Sequence, residues 1–65
     1  MKVICRIPIK DISSNNQIVE GEDCDAVFEL VRKNHTIEER VTITNLADNK
    51  FSISLSLFKF AFKFE

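Results

Sequence analysis

Sixty-five residues, net charge −1 from nine Lys/Arg against ten Asp/Glu, and 45% hydrophobic content describe one small domain, residues 1–65, of ordinary globular composition. That balance excludes a basic nucleic-acid footprint, a heavily acidic mimic of one, and a disordered chain. A domain this short buries only about 60% of its unfolded surface, so a staple, a metal or a partner subunit is the usual support.

The chain begins with "MKVICRIPI", in which Val3, Cys5, Ile7 and Ile9 alternate with Lys2, Ile4, Arg6 and Pro8. A period of two predicts a half-buried strand over Met1–Ile9. Pro8 has no N–H to donate, so this end should lie at an edge or leave the sheet. Arg6 and Pro8 also break the apolar start, which argues against a secretory signal. "KDISSNNQ", Lys10 to Gln17, reads as a polar surface loop.

Residues 18–34, "IVEGEDCDAVFELVRKN", support two readings. As a helix over about 23–34, Asp23 or Asp25 would cap the start and Arg32 and Lys33 would suit the C-terminal dipole. The fold would then be α+β in β-α-β-β order. As a strand, Ala26, Phe28 and Leu30 share a face, and Gly21 serves the preceding turn. The following "TIEERVTITN", Thr36–Asn45, is β-branched and reads as a strand. With Asn34-His35 as a two-residue loop, Phe28 meets Val41, Ala26 meets Ile43 and Glu29 meets Arg40, a register that matches like with like and pairs opposite charges. "EGEDCDAVFELVR" followed by "EERVTITN" resembles the turn into a second strand of Ig-like β-sandwiches, including the calcium-binding β domains of sodium–calcium exchangers. The resemblance is local and implies strand at 25–33, because the chain is too short for seven sandwich strands.

A three-residue loop, Ala47-Asp48-Asn49, with Asn49 in the left-handed region, predicts a second hairpin in which Ile43 faces Ile53 and Val41 faces Leu55. Thr44–Ser52 and Thr42–Ser54 would fill the opposite face. The chain ends in "KFSISLSLFKFAFKFE", which holds five of the six phenylalanines. Its apolar positions are odd through Leu57 and even from Phe58. A one-residue bulge at Leu57-Phe58 would restore a single apolar face and set Ile37 opposite Phe60. The expected fold is therefore mainly β: a small antiparallel sheet, a meander or a partly open barrel or sandwich, with a long bulged C-terminal strand. At about 3.3 Å per residue that strand would span about 50 Å, against a diameter near 28 Å for a compact chain of this length. It must bend or project. Phe58, Phe60, Phe62 and Phe64 are accordingly expected to form a partner or self-association surface, covered by the first strand or by the same strand of a second copy.

Residues with chemistry are few. His35 falls in a turn and has no cysteine near it in sequence, so no nucleophile, base and orienter come together. Cys5, Cys24 and His35 lack zinc-ligand spacing. The two cysteines read as reduced buried thiols of a cytosolic protein; a Cys5–Cys24 bridge is the alternative if the chain is exported. Glu20, Glu22, Asp23 and Asp25 form the densest charge group, an acidic contact loop without the oxygen spacing of an EF-hand; a weak calcium site is its alternative reading. One glycine rules out a phosphate loop, and no apolar run reaches a membrane-spanning length. Lys59 and Lys63 interleave with Phe60, Phe62 and Phe64, but strand alternation sets them on the opposite face, against nucleic-acid stacking. The sequence thus predicts no enzyme and no cofactor. It predicts a cytoplasmic protein-binding module with two partners, a second copy of itself and one target protein. Such a module would be an inhibitor or adaptor of the kind carried by phages and mobile elements. The alternatives are a structural subunit of a larger assembly and, behind it, a nucleic-acid-binding protein.

Overall fold

A computed structural model describes residues 1–65. Eight elements follow in chain order: β1 (Lys2–Cys5), β2 (Ile9–Asp11), β3 (Asn16–Ile18), β4 (Asp23–Lys33), β5 (Thr36–Asn45), β6 (Lys50–Ser54), α1 (Leu55–Ala61) and β7 (Phe62–Phe64). Five of them form one antiparallel sheet in the order β6-β5-β4-β1-β7, and β2-β3 makes a separate hairpin. The fold is mainly β, with one short helix and no closed barrel. Residues 25–33 are strand, so the helical reading of 23–34, and with it the α+β alternative, is set aside.

The β4–β5 hairpin has the register that its sequence dictates: Lys33 pairs with Thr36, Glu29 with Arg40, Phe28 with Val41 and Ala26 with Ile43. Asn34 takes the left-handed conformation (φ 58°) that the two-residue loop requires. The β5–β6 hairpin keeps its predicted faces but is displaced by two residues. Ile43 pairs with Phe51 and Val41 with Ile53. Its loop is still three residues, but it is Leu46-Ala47-Asp48, one position earlier than expected, with the Asn45 N–H donating to the Asn49 carbonyl at 3.1 Å. The Asn45 Oδ1 accepts the Asn49 N–H at 2.9 Å, and Asp48, not Asn49, is left-handed (φ 65°). A shift of two leaves every side chain on its own face, so the alternation alone does not distinguish the two registers.

The largest departure lies at the C-terminus, where a helix replaces the bulge. Ser54 caps α1, its hydroxyl accepting the Leu57 N–H at 3.2 Å. Phe58 and Ala61 are its buried residues, with Leu55 packed against the core; this is the three-to-four spacing of a helical face. The helix advances only about 1.5 Å per residue, less than half the rise of a strand. The segment therefore folds back within a molecule 36 × 27 × 19 Å across. The Ala61 carbonyl accepts the N–H groups of Arg6 (2.6 Å) and Ile7, satisfying the helix end. The chain then re-enters the sheet as β7, which pairs with β1 (Cys5 with Phe62, Val3 with Phe64). Ile37 does not meet Phe60; it pairs with Arg32.

The N-terminal strand is shorter than its alternation suggests. It stops at Cys5, and Pro8 lies outside the sheet. Most of the polar segment Lys10–Gln17 belongs to the small β2–β3 hairpin. There Asp11 accepts the Ser13 and Ser14 hydroxyls, which hold its carboxyl below the ordinary range. Gly21 (φ 86°) makes the turn into β4.

One face of the sheet carries the core. Val3, Cys5, Cys24, Ala26, Val41, Ile43, Phe51, Ile53 and Phe62 contribute from the sheet, Ile18 from the small hairpin, and Phe58 and Ala61 from α1. The other face has no covering layer. It is held laterally by Arg40, which donates to Glu38 Oε1 (3.1 Å) and the Ser52 carbonyl (2.9 Å), and by the Thr42 hydroxyl, which donates to Glu29 (2.7 Å).

Candidate protein-contact surface

The phase change at Leu57-Phe58 divides the four candidate phenylalanines. In α1 successive residues turn by about 100°, so Phe58 and Phe60 point in different directions instead of sharing a face. Phe58 and Phe62 are 3% exposed and belong to the core; Phe60 and Phe64 are 64% and 57% exposed. The expected surface of Phe58, Phe60, Phe62 and Phe64 is thus corrected to Phe60 and Phe64. The helix rotates Phe58 inward, and the pairing of β7 with β1 buries Phe62.

These rings form a graded cluster. Phe58 packs edge-on against Phe28 (centroids 5.2 Å apart) and Phe64 (5.8 Å), and stacks on Phe62 (5.7 Å). Phe64 also reaches Phe28 at 6.5 Å. Phe28 and Phe64 therefore lie half inside the core and half in water, a common form for a contact anchor. Beside them an open groove of about 400 Å³ runs between the hairpin and the start of α1, lined by Phe28, Leu30 and Leu55 with Glu29, Glu39 and Arg40.

The β4–β5 hairpin also extends beyond its neighbours. β1 pairs with β4 only at Asp23–Asp25, and Met1 closes on Ala26 through the Ala26 N–H (2.7 Å) and carbonyl (3.2 Å). From Val27 to Lys33 no strand lies on the β1 side of β4. In an antiparallel ladder the residues that bond to one neighbour alternate with those that bond to the other. Ala26 faces β1, so the N–H and C=O groups of Phe28, Leu30 and Arg32 project from an open edge. Leu30 and Ile37, among the ribbon's side chains, are 68% and 63% exposed.

The acidic residues do not converge. Glu22 accepts the Val19 N–H at 3.0 Å and closes its own turn. Asp25 pairs with the N-terminal ammonium at 2.9 Å. Glu20 and Asp23 are exposed. No group of three His, Cys, Asp or Glu residues is arranged to hold a metal ion. His35 is exposed in the ribbon's turn. Cys5 and Cys24 are free and buried. Burial pushes both thiols up, with Glu22 adding to the effect, and Cys24 reaches about 11; neither has the depressed pKa of an activated nucleophile. Lys63 lies across β7 from Phe62 and Phe64, as alternation requires, while Lys59 is exposed on α1. No helix is long and apolar enough to cross a membrane.

No family model, curated protein or solved structure matches the chain.

Proposed function

We propose that the chain is a small non-enzymatic protein-binding module, an inhibitor or adaptor that works by occupying the surface of a target protein. The observation that carries this reading is the aromatic cluster. Phe58 and Phe62 are fixed in the core and hold Phe28 and Phe64 half-exposed, and Phe60 stands on the outer face of the adjoining helix. Aromatic anchors on a rigid base lose little conformational entropy on binding and are enriched at interface hot spots. The groove beside Phe28 and Leu30 offers room for an apolar side chain of the target. A cytoplasmic setting suits the two unbridged cysteines. Carriage by a phage or mobile element and action as a homodimer complete the proposal.

The test is a pull-down from the native cell with the wild-type chain and with Phe60→Ser and Phe64→Ser. Both positions are more exposed than buried, so both variants should fold. One stoichiometric foreign protein, retained by wild type and lost by the variants, is the expected result. Self-association alone would replace the reading with that of a structural subunit.

A further inference from the structure

We infer that two copies of this chain pair antiparallel along the open edge of β4, with Val31 on the twofold axis. The edge from Val27 to Lys33 has no neighbouring strand on its β1 side. Its outward peptide groups belong to the even-numbered residues Phe28, Leu30 and Arg32. Antiparallel partners exchange hydrogen bonds between residues of this same class, so only registers whose paired numbers sum to an even value are available. Seven of these centre on the open segment. Sums of 54 and 56 claim the Ala26 groups that Met1 already holds, and a sum of 66 sets Lys33 opposite the partner's Lys33, which leaves four.

Three of the four are excluded by residues on the edge itself. A sum of 58 sets Glu29 opposite the partner's Glu29. A sum of 64 sets Arg32 opposite the partner's Arg32. Like charges directly opposite are destabilising. A sum of 60 brings the partner's Asn34 opposite Ala26, whose N–H and carbonyl are already taken by Met1. The sum of 62 has none of these faults. Leu30 and the partner's Arg32 exchange both backbone hydrogen bonds, and the twofold axis repeats the exchange. Val31 packs on the partner's Val31. Glu29 stands opposite the partner's Lys33 in two symmetric ion pairs. The partner's turn then ends short of Met1. The edge is therefore self-complementary in one register, and pairing joins two five-stranded sheets into one continuous sheet.

The contact is short, below the roughly 1,200 Å² of total buried surface that marks stable complexes, so the dimer forms in a concentration-dependent way. The inference concerns a different surface from Phe60 and Phe64, which the proposed function uses. Sedimentation velocity from micromolar to millimolar concentration should show wild type passing from monomer to dimer. Glu29→Lys and Lys33→Glu should each remain monomeric, because each homodimer would then oppose like charges. An equimolar mixture of these two variants should dimerise again, since both ion pairs return, one with reversed and one with wild-type polarity. In the wild-type dimer the Leu30 and Arg32 amides should exchange with solvent at least tenfold more slowly than in dilute protein, while the Val31 amide, already bonded to β5, should not change. A wild-type monomer at millimolar concentration, or a dimer that persists in either single variant, overturns the pairing and leaves the Phe60 reading to its own test. Cooperative unfolding of each variant shows that it folds.

Discussion

The body of the sheet and the ribbon that projects from it are made by the same two strands, β4 and β5, yet they differ in what lies against them. Near Ala26 and Ile43 the hairpin has neighbours on both sides, with Phe58 and Ile18 in the same core. Near Leu30 and Ile37 it has neither, although its turn and register are the most regular in the chain. Local order and burial are thus separable. Hydrogen-bond register and turn residues suffice to form the ribbon, but a strand pair alone is marginal in water. Its persistence depends on the body to which it is joined.

The largest effect expected from this contrast lies in the body. Phe58→Ala removes the ring that touches Phe28, Phe62 and Phe64 and should cost about 3–5 kcal/mol. That is a large share of the total for a domain of this size, so urea unfolding should show a variant that is mostly unfolded. Next, Ile43→Ala should cost about 2–5 kcal/mol, whereas Ile37→Ala, in the same strand but on the ribbon, should stay within about 0.5 kcal/mol. Equal costs at the two sites would mean that the ribbon is covered after all. Smaller again, Ser54→Ala should lose about 1 kcal/mol by leaving the Leu57 N–H uncapped. If the segment were the continuous bulged strand, the change would leave stability almost unaltered.

The smallest effect is a pH dependence. Burial, then Glu22, Cys5 and Asp23, push the Cys24 thiol up to about 11 from 9.0. The folded state therefore keeps its proton where the unfolded state loses it. Stability from the neutral thiol is complete below about pH 9 and falls as pH rises toward 11. Denaturation midpoints at pH 8 and pH 10.5 should differ less in Cys24→Ala than in wild type, and an equal difference would dissociate the effect from this thiol.

The β4–β5 hairpin was legible because two signals agreed. Asn34-His35 allows a tight turn, and one register matches Phe28 with Val41 while setting Glu29 opposite Arg40. The side-chain hydrogen bonds then redistribute, with Arg40 going to Glu38 and Ser52, and Glu29 going to Thr42. The β5–β6 faces were legible too, but not the register, because the Asn45 clamp starts the loop one residue earlier, a feature that alternation does not report. The helix was present in the sequence as Ser54 followed by Leu55, Phe58 and Phe62 at intervals of three and four. Over so few residues that spacing is as compatible with an interrupted alternation as with a helical turn. Of the candidate surface, sequence supplied four phenylalanines with equal claims. Which two are exposed depends on a rotation that only the helix imposes.

The sequence by itself determined the apolar faces of β4, β5 and β6, the β4–β5 register and the place where the C-terminal alternation changes phase, since these follow from local periodicity and turn chemistry. The tertiary structure alone decided that α1 folds back, that β7 pairs with β1, and that β1 stops short and leaves β4 with an open edge. The physical reason is that each of these depends on how far one segment reaches along another. That length is fixed by caps, loop clamps and the space over the core, none of which a residue reports in isolation.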